Sequence, residues 1–250
     1  VASKPIENDN KAFLQFRGEP MFIHVVRELL ATDRVDSVVI VGPRGRLQSA
    51  LESSTLDVGR ARLEVTEQGF NLVENAMIGY LASLGITPLS HGEVEYQFDD
   101  LVHSEHREKP ALFLSCDIPL ATRFEIDEFL TKADMDRYDY AIGLSDESVL
   151  EPYYPGENRP GIRMSYYHLA ESRCRHNNLH LGKPLKIVGM HNIERMYELR
   201  YQKKVSNVIR GFVHIMRARI NTFAALKYFA LLQLARSLGE KGDGGLYEWI

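Results

Sequence analysis

Asp117 directly follows residues 111–116, a near-continuous apolar run of the kind found in strands covered on both faces. A carboxylate at such a strand end emerges where open α/β sheets bind their ligands. Pro119 stiffens the turn behind it and removes a competing donor. A lone carboxylate there can hold Mg2+, which keeps most of its waters and takes one or two carboxylates together with substrate phosphates. Asp also caps turns and helices, so its position alone leaves a structural role open. Lys11 opens the first ordered segment after a polar stretch and can meet a β- or γ-phosphate as a point charge, although most lysines are simply solvated. Gln68 and Gly69 follow a strand, with Asn71 and Asn75 on the helix behind them. Amide side chains near a helix N-terminus can read the edge of a base, and Gly permits close backbone approach. Turn and N-cap duty would explain the same residues. Arg173, Arg175, His176, Asn177 and Asn178 precede a strand and can bind phosphate, orient a ribose or acceptor, or face solvent. His91, Glu93, Glu95, Asp99, Asp100, His103 and His106 lack a tight metal-ligand spacing, so residues 85–110 are expected to form a surface insertion or mobile loop.

The elements that must position these groups follow from hydrophobic periodicity. Residues 11–16 suit a short extended run, ending in a turn at Arg17, Gly18 and Glu19. Pro20 suits the start of a helix, and Phe22, Val25, Val26, Leu29 and Leu30 recur at spacings of three and four. Val35, Val38, Val39, Ile40 and Val41 form a β-branched run that stops at Gly42 and Pro43. Residues 61–66 predict a strand and 71–84 a helix; residues 111–116 predict a central strand, 124–132 a helix capped by Thr122, and 138–144 a strand. Extended segments are expected over 163–169 and 177–181, and helix from 193 almost to 238. This alternation predicts a three-layer α/β/α domain with a mostly parallel sheet over residues 1–192 and a helical C-terminal extension over 193–250.

Composition narrows the function classes. A formal charge of -4 argues against a general nucleic-acid binder, which needs a basic excess. Cys116 and Cys174 are the only two cysteines and form no CxxC, which excludes a disulfide framework and a Cys-based zinc site. No signal-like leader or membrane-length apolar window occurs, so a cytoplasmic setting is expected. The chain starts on Val1, and both ends suggest a piece of a longer protein. GxSxG, Walker GxxxxGK[ST] and GxGxxG are all absent, so hydrolase-triad and dehydrogenase chemistry has no anchor.

Taken together, the segments resemble MobA-like NTP transferases, a nucleotidyltransferase family with the GT-A-like fold of nucleotide-diphosphosugar transferases. Lys11-Ala-Phe-Leu-Gln-Phe-Arg-Gly-Glu-Pro-Met21 and its amphipathic helix resemble that family's second motif. Leu114-Ser-Cys-Asp117-Ile-Pro-Leu-Ala-Thr122 resembles its "GD-x-P-L-x-T", whose Asp binds the catalytic Mg2+. Residues 71–75 fall where the family has a base-binding loop and helix, and Asn177 and Asn178 where relatives face the acceptor. The resemblance implies an NTP and a phosphorylated small-molecule acceptor as substrates, with release of pyrophosphate. It assigns Asp117 to the metal, Lys11 to phosphate and catalysis, Gln68, Gly69 and Asn75 to the nucleotide, and Asn177 and Asn178 to the acceptor. A sugar phosphate, a molybdopterin-like phosphate and an alcohol phosphate such as phosphocholine all remain open as acceptor. The chain departs from the family in three places: no Gly-rich loop ending in Arg precedes Lys11, Cys116 replaces the usual Gly before the metal Asp, and the family's second metal-binding segment is not evident before Ile250. The alternatives are a nucleotide-sugar-dependent glycosyltransferase and a degenerate nucleotide-binding scaffold. Asp117 lacks the Asp-x-Asp pattern that glycosyltransferases usually use, and the helices beyond 193 offer a surface for a homo-oligomer.

Overall fold

A computed structural model describes residues 11–89, 93–161, 166–169 and 172–187. The expected boundary at 192/193, the helical extension with its oligomer surface, and His91 lie outside the described residues. The described residues divide between two compact units, one from residues 11–143 and 178–187, the other from residues 144–177.

In the larger unit, Lys11–Phe13 form a 3-10 turn that buries Ala12 and Phe13. This replaces the start of the extended run expected over 11–16. A hairpin of β1 (Gln15–Phe16) and β2 (Glu19–Pro20) follows. Its two-residue connection places Arg17 and Gly18 at φ 50° and 87°. Positive φ at both positions gives the turn a twist that matches the flanking strands. Pro20 then leads into α1 (Met21–Leu30), whose Phe22, Ile23, Val25 and Val26 are buried.

The strand β3 (Ser37–Gly42) is followed by α2 (Arg44–Glu52) and β4 (Arg62–Glu67). The β-branched run and the following strand were legible in the sequence; α2 was not, because Leu47 is its one buried residue and most of its turns are polar. β3 and β4 pair in parallel, from Ser37 opposite Arg62 to Gly42 opposite Glu67. Helices cover both faces of β3. Val38 and Ile40 pack into a cluster with Phe13, Phe22, Ile23 and Leu47. Val41 packs on the other side against the cluster of α3 (Leu72–Ser83). A Cβ at Gly79 of α3 would lie 3.1 Å from Val41 Cγ2, so the missing side chain lets helix and strand approach closely.

The region expected to be a loop instead holds α4 (Val94–Leu101). Its Val94 and Phe98, one helical turn apart, are buried against α3, and the Phe98 ring lies 5.7 Å from that of Tyr80. The apolar stripe is only one residue wide per turn, which masks it among the acidic neighbours. Next come β5 (Ala111–Leu114) and α5 (Arg123–Lys132). Thr122 and Glu125 form a reciprocal capping box at the start of α5, satisfying two backbone donors.

β6 (Tyr140–Asp146) leads to α6 (Glu147–Leu150), β7 (Tyr167–His168) and β8 (Arg173–Gly182). β8 lies between β5 and β6 in sheet order. It pairs antiparallel with β5, Ala111 opposite Gly182 and Leu114 opposite Leu179. It also pairs antiparallel with β7, and Leu169 N–H donates to Ser172 O at 2.9 Å. The end of β8 is pinned by charge. Lys183 is buried and reaches Glu108 at 2.9 Å and Asp139 at 3.4 Å, and Lys186 reaches the same two carboxylates at 2.9 Å each. Lysine hydrogen bonds hold both carboxyls below their usual range, Lys183 contributing most at Glu108 and Lys186 most at Asp139.

In the smaller unit, Asp146 caps α6 through Ser148 N–H at 2.9 Å. Tyr154 donates its hydroxyl to Glu147 at 2.7 Å, and Arg173 approaches that carboxylate at 3.5 Å. Among the described residues no helix is long and apolar enough to cross a membrane. The chain is a mixed α/β protein, layered around β3 as its alternating pattern predicts.

Candidate active site

The strand β5 stops at Leu114, and Ser115, Cys116 and Asp117 turn away from its carboxyl end. The 3-10 turn at Lys11–Phe13 brings Lys11 and Ala12 to the same place. Those five residues, Lys11, Ala12, Ser115, Cys116 and Asp117, line an open cleft of about 200 Å³. Lys11 Nζ lies 3.9 Å from Asp117 Oδ2, and the Ser115 hydroxyl donates to Asp117 Oδ1. The Lys11 side chain is 77% exposed and that of Asp117 37%, so this is a solvated, readily exchanged ion pair. Phe13, two residues beyond Lys11, is buried and carries the Arg46 guanidinium 4.0 Å from its ring centroid. The Lys11 ammonium is therefore exposed to solvent beside an anchored backbone turn.

Cys116 is partly buried and packs against the cluster of α1 and β3. Burial, and secondarily the Asp117 charge, push its thiol up to about 11. The thiolate fraction at pH 8 is then about one part in a thousand, so the thiol is no nucleophile for neutral-pH chemistry. Cys116 is expected to resist iodoacetamide near pH 8 and to react progressively faster as pH approaches 11. Mass-spectrometric peptide mapping would check this, and complete alkylation of folded protein at pH 8 would contradict it.

The Gln68–Gly69–Asn75 group sits at the carboxyl end of β4 as a separate feature, with its own supports. Gly69 N–H donates to Asn75 Oδ1 at 2.7 Å, which leaves the amide NH2 and the second lone pair of that oxygen for a ligand. Asn71 caps α3 by accepting from Glu74 N–H at 2.8 Å, and the buried Glu74 carboxylate accepts from Phe70 N–H. A Cβ at Gly69 would fall 2.5 Å from the Glu74 carboxylate, which explains the glycine by close approach. Gln68 is exposed, and the Glu67 carboxylate beside it accepts from Arg44 N–H at 3.3 Å, tying the start of α2 to the end of β4.

Asn178 follows from the β8 register. Leu179 stands opposite Leu114, so the antiparallel strand brings Asn178 to the end of β5 that carries Ser115 and Asp117. Its φ of 66° is left-handed, a conformation Asn tolerates better than most residues. Asn177 precedes it in β8 and belongs to the smaller unit.

The expected pair Lys11 and Asp117 thus share one cleft. Ser115 was passed over in the sequence as part of a strand. Only the turn after β5 brings its hydroxyl to the Asp117 carboxylate, a contact that strand periodicity does not signal. Among the described residues no group of three His, Cys, Asp or Glu could hold a metal ion together.

The family model of the MobA-like NTP transferase domain matches residues 3–210. Among solved structures, the chain is similar to CMP:2-keto-3-deoxy-manno-octonic acid synthetase complexed with CTP. The two share 14% identity over 90% of this chain and 91% of that one, with a TM-score of 0.39. A likeness that remote is no basis for reading a ligand onto this chain. The family match, by contrast, runs through both halves of the cleft, from before Lys11 to beyond Asp117 and Asn178. The chain belongs to the MobA-like NTP transferase domain family of nucleotidyltransferases.

Proposed function

We propose that this protein transfers a nucleoside monophosphate from an NTP to a phosphorylated small-molecule acceptor, releasing pyrophosphate. The observation that carries the reading is the approach of Lys11 to Asp117 within one open cleft at the carboxyl end of β5. An acceptor phosphate oxygen attacks the α-phosphorus in line; the bond from that phosphorus to the α–β bridging oxygen breaks, and its electron pair leaves with pyrophosphate. No covalent enzyme intermediate is required, since orientation and charge stabilisation supply the rate.

The cleft's donor set fits Mg2+ in an open site: one half-exposed carboxylate and a neighbouring hydroxyl, with room for water and phosphate oxygens. When bound there, Mg2+ would offset the charge that develops on the phosphates. Asp117 supplies the protein ligand. Lys11, at 3.9 Å a loose partner of Asp117, is free to turn its ammonium to the β- and γ-phosphates as pyrophosphate departs. Gln68, Gly69 and the side-chain amide of Asn75 offer polar groups to the base or ribose, and α3 holds the backbone of Gly69 and Phe70 by hydrogen bonds. Asn178, which the β8 register brings to the carboxyl end of β5, is assigned to the acceptor.

The test is pyrophosphate release from each of the common NTPs with Mg2+ and a panel of sugar, pterin and alcohol phosphates. Release that depends on both an NTP and an acceptor supports the reading; inertness across the panel, with NTP binding retained, would mark a nucleotide-binding scaffold. Lys11→Ala is expected to lower kcat/KM for the NTP by about tenfold to a hundredfold, the scale of losing one charge-assisted contact to phosphate. Unchanged kinetics in that variant would remove Lys11 from the site.

A further inference from the structure

The Asp117 side chain is 37% exposed, and its two oxygens have different surroundings. Oδ1 accepts the Ser115 hydroxyl, whereas Oδ2 faces Lys11 at 3.9 Å. Both Ser115 and Asp117 line the cleft with Lys11. A carboxylate has about four lone-pair sites and, unrestrained, can chelate a cation through both oxygens or swing away from it. An oxygen already engaged by a hydroxyl is a poorer partner for a second group.

We infer that Ser115 is a positioning residue: by engaging Oδ1 it makes Asp117 present Oδ2 alone to a divalent cation. This rests on the proposed metal role of Asp117 and adds the group that aims it. Single-oxygen ligation suits a small ion that keeps its remaining positions for water and phosphate oxygens. It also leaves Oδ2 beside Lys11, so cation and ammonium compete for one oxygen until phosphates draw the ammonium away. Hydrogen-bond partners that orient a metal ligand commonly contribute tenfold or more to metal affinity.

The experiment titrates Mn2+ into the full chain in the presence of inorganic pyrophosphate, following protein-bound Mn2+ by water-proton relaxation against a protein-free Mn2+–pyrophosphate control. Pyrophosphate is the proposed product and makes the readout independent of the base. S115A and the near-isosteric S115C, a weaker donor, are expected to weaken Mn2+ binding about tenfold. S115T, which keeps the hydroxyl, should stay within about twofold of the parent, and metal-free pyrophosphate binding should be unchanged in all three. D117A is the reference. If D117A loses Mn2+ binding while S115A and S115C match the parent, the inference about Ser115 fails and the metal role of Asp117 survives. If D117A binds Mn2+ like the parent, the metal role itself fails. Equal weakening in S115T would also overturn the inference, since it would show that shape and not the hydroxyl matters.

Discussion

Asp117→Ala is expected to reduce Mg2+-dependent, NTP-driven pyrophosphate release by about three orders of magnitude, with thermal stability almost unchanged. The size follows from the role: removing one preorganised charge that stabilises the transition state typically costs 100-fold to 1000-fold in rate. Among the described residues the carboxylate is the one acidic group lining the cleft. The stability expectation follows from its exposure. Asp117 is 37% exposed, its ionic partner Lys11 is 77% exposed at 3.9 Å, and substitutions at such places usually shift stability by about 0.5 kcal/mol or less. Asp117→Asn separates charge from shape. It retains the size and the acceptor for Ser115 but removes the negative charge, so it should lose nearly as much activity as the Ala variant. An Asn variant with more than about a tenth of parental turnover would be incompatible with a metal-binding carboxylate.

The second large effect concerns stability. Phe22→Ala should lower the unfolding free energy by about 3–5 kcal/mol, the usual cost of deleting a buried aromatic ring and leaving a cavity. Phe22 has no exposed surface and meets the ring of Phe13 edge-on, with centroids 5.6 Å apart at 68°. Its cluster joins α1, β3, α2 and the turn that carries Lys11. Typical domains are stable by only about 5–15 kcal/mol, so the loss is a large fraction of the whole. In urea the midpoint should fall with little change in slope, since the surface exposed on unfolding is nearly the same. Because Phe13 anchors the segment two residues after Lys11, the folded fraction should also bind NTP more weakly. A shift below about 1 kcal/mol would mean that the cluster collapses around the vacancy and that Phe22 is no keystone.

The elements legible beforehand share one property: their periodicity is strong and local. The stripe of α1, the β-branched run of β3, the Asn71 cap of α3 and the Thr122 cap of α5 each need only a few neighbouring residues to be recognised. α2 and α4 were missed for the complementary reason. Each buries few residues, Leu47 in one and Val94 with Phe98 in the other, so packing by distant elements and not a wide apolar face holds them in place. The 3-10 turn at Lys11–Phe13 belongs with these, because burial of Phe13 against Phe22 sets it.

The order of residue types along the chain was sufficient, by itself, to mark an acidic strand end, a lysine ahead of an amphipathic helix, and an α/β alternation between them. Those features depend on near neighbours, and local sterics and hydrophobic spacing encode them. Only the folded chain decided that Lys11 and Asp117, more than a hundred residues apart, face each other at 3.9 Å, and that an antiparallel strand brings Asn178 to the carboxyl end of β5. It likewise decided that Asn75 holds Gly69 through its oxygen and that Ser115 engages one oxygen of Asp117. Contacts between remote segments depend on strand register and on which faces are buried together, and no short window of residues contains that information.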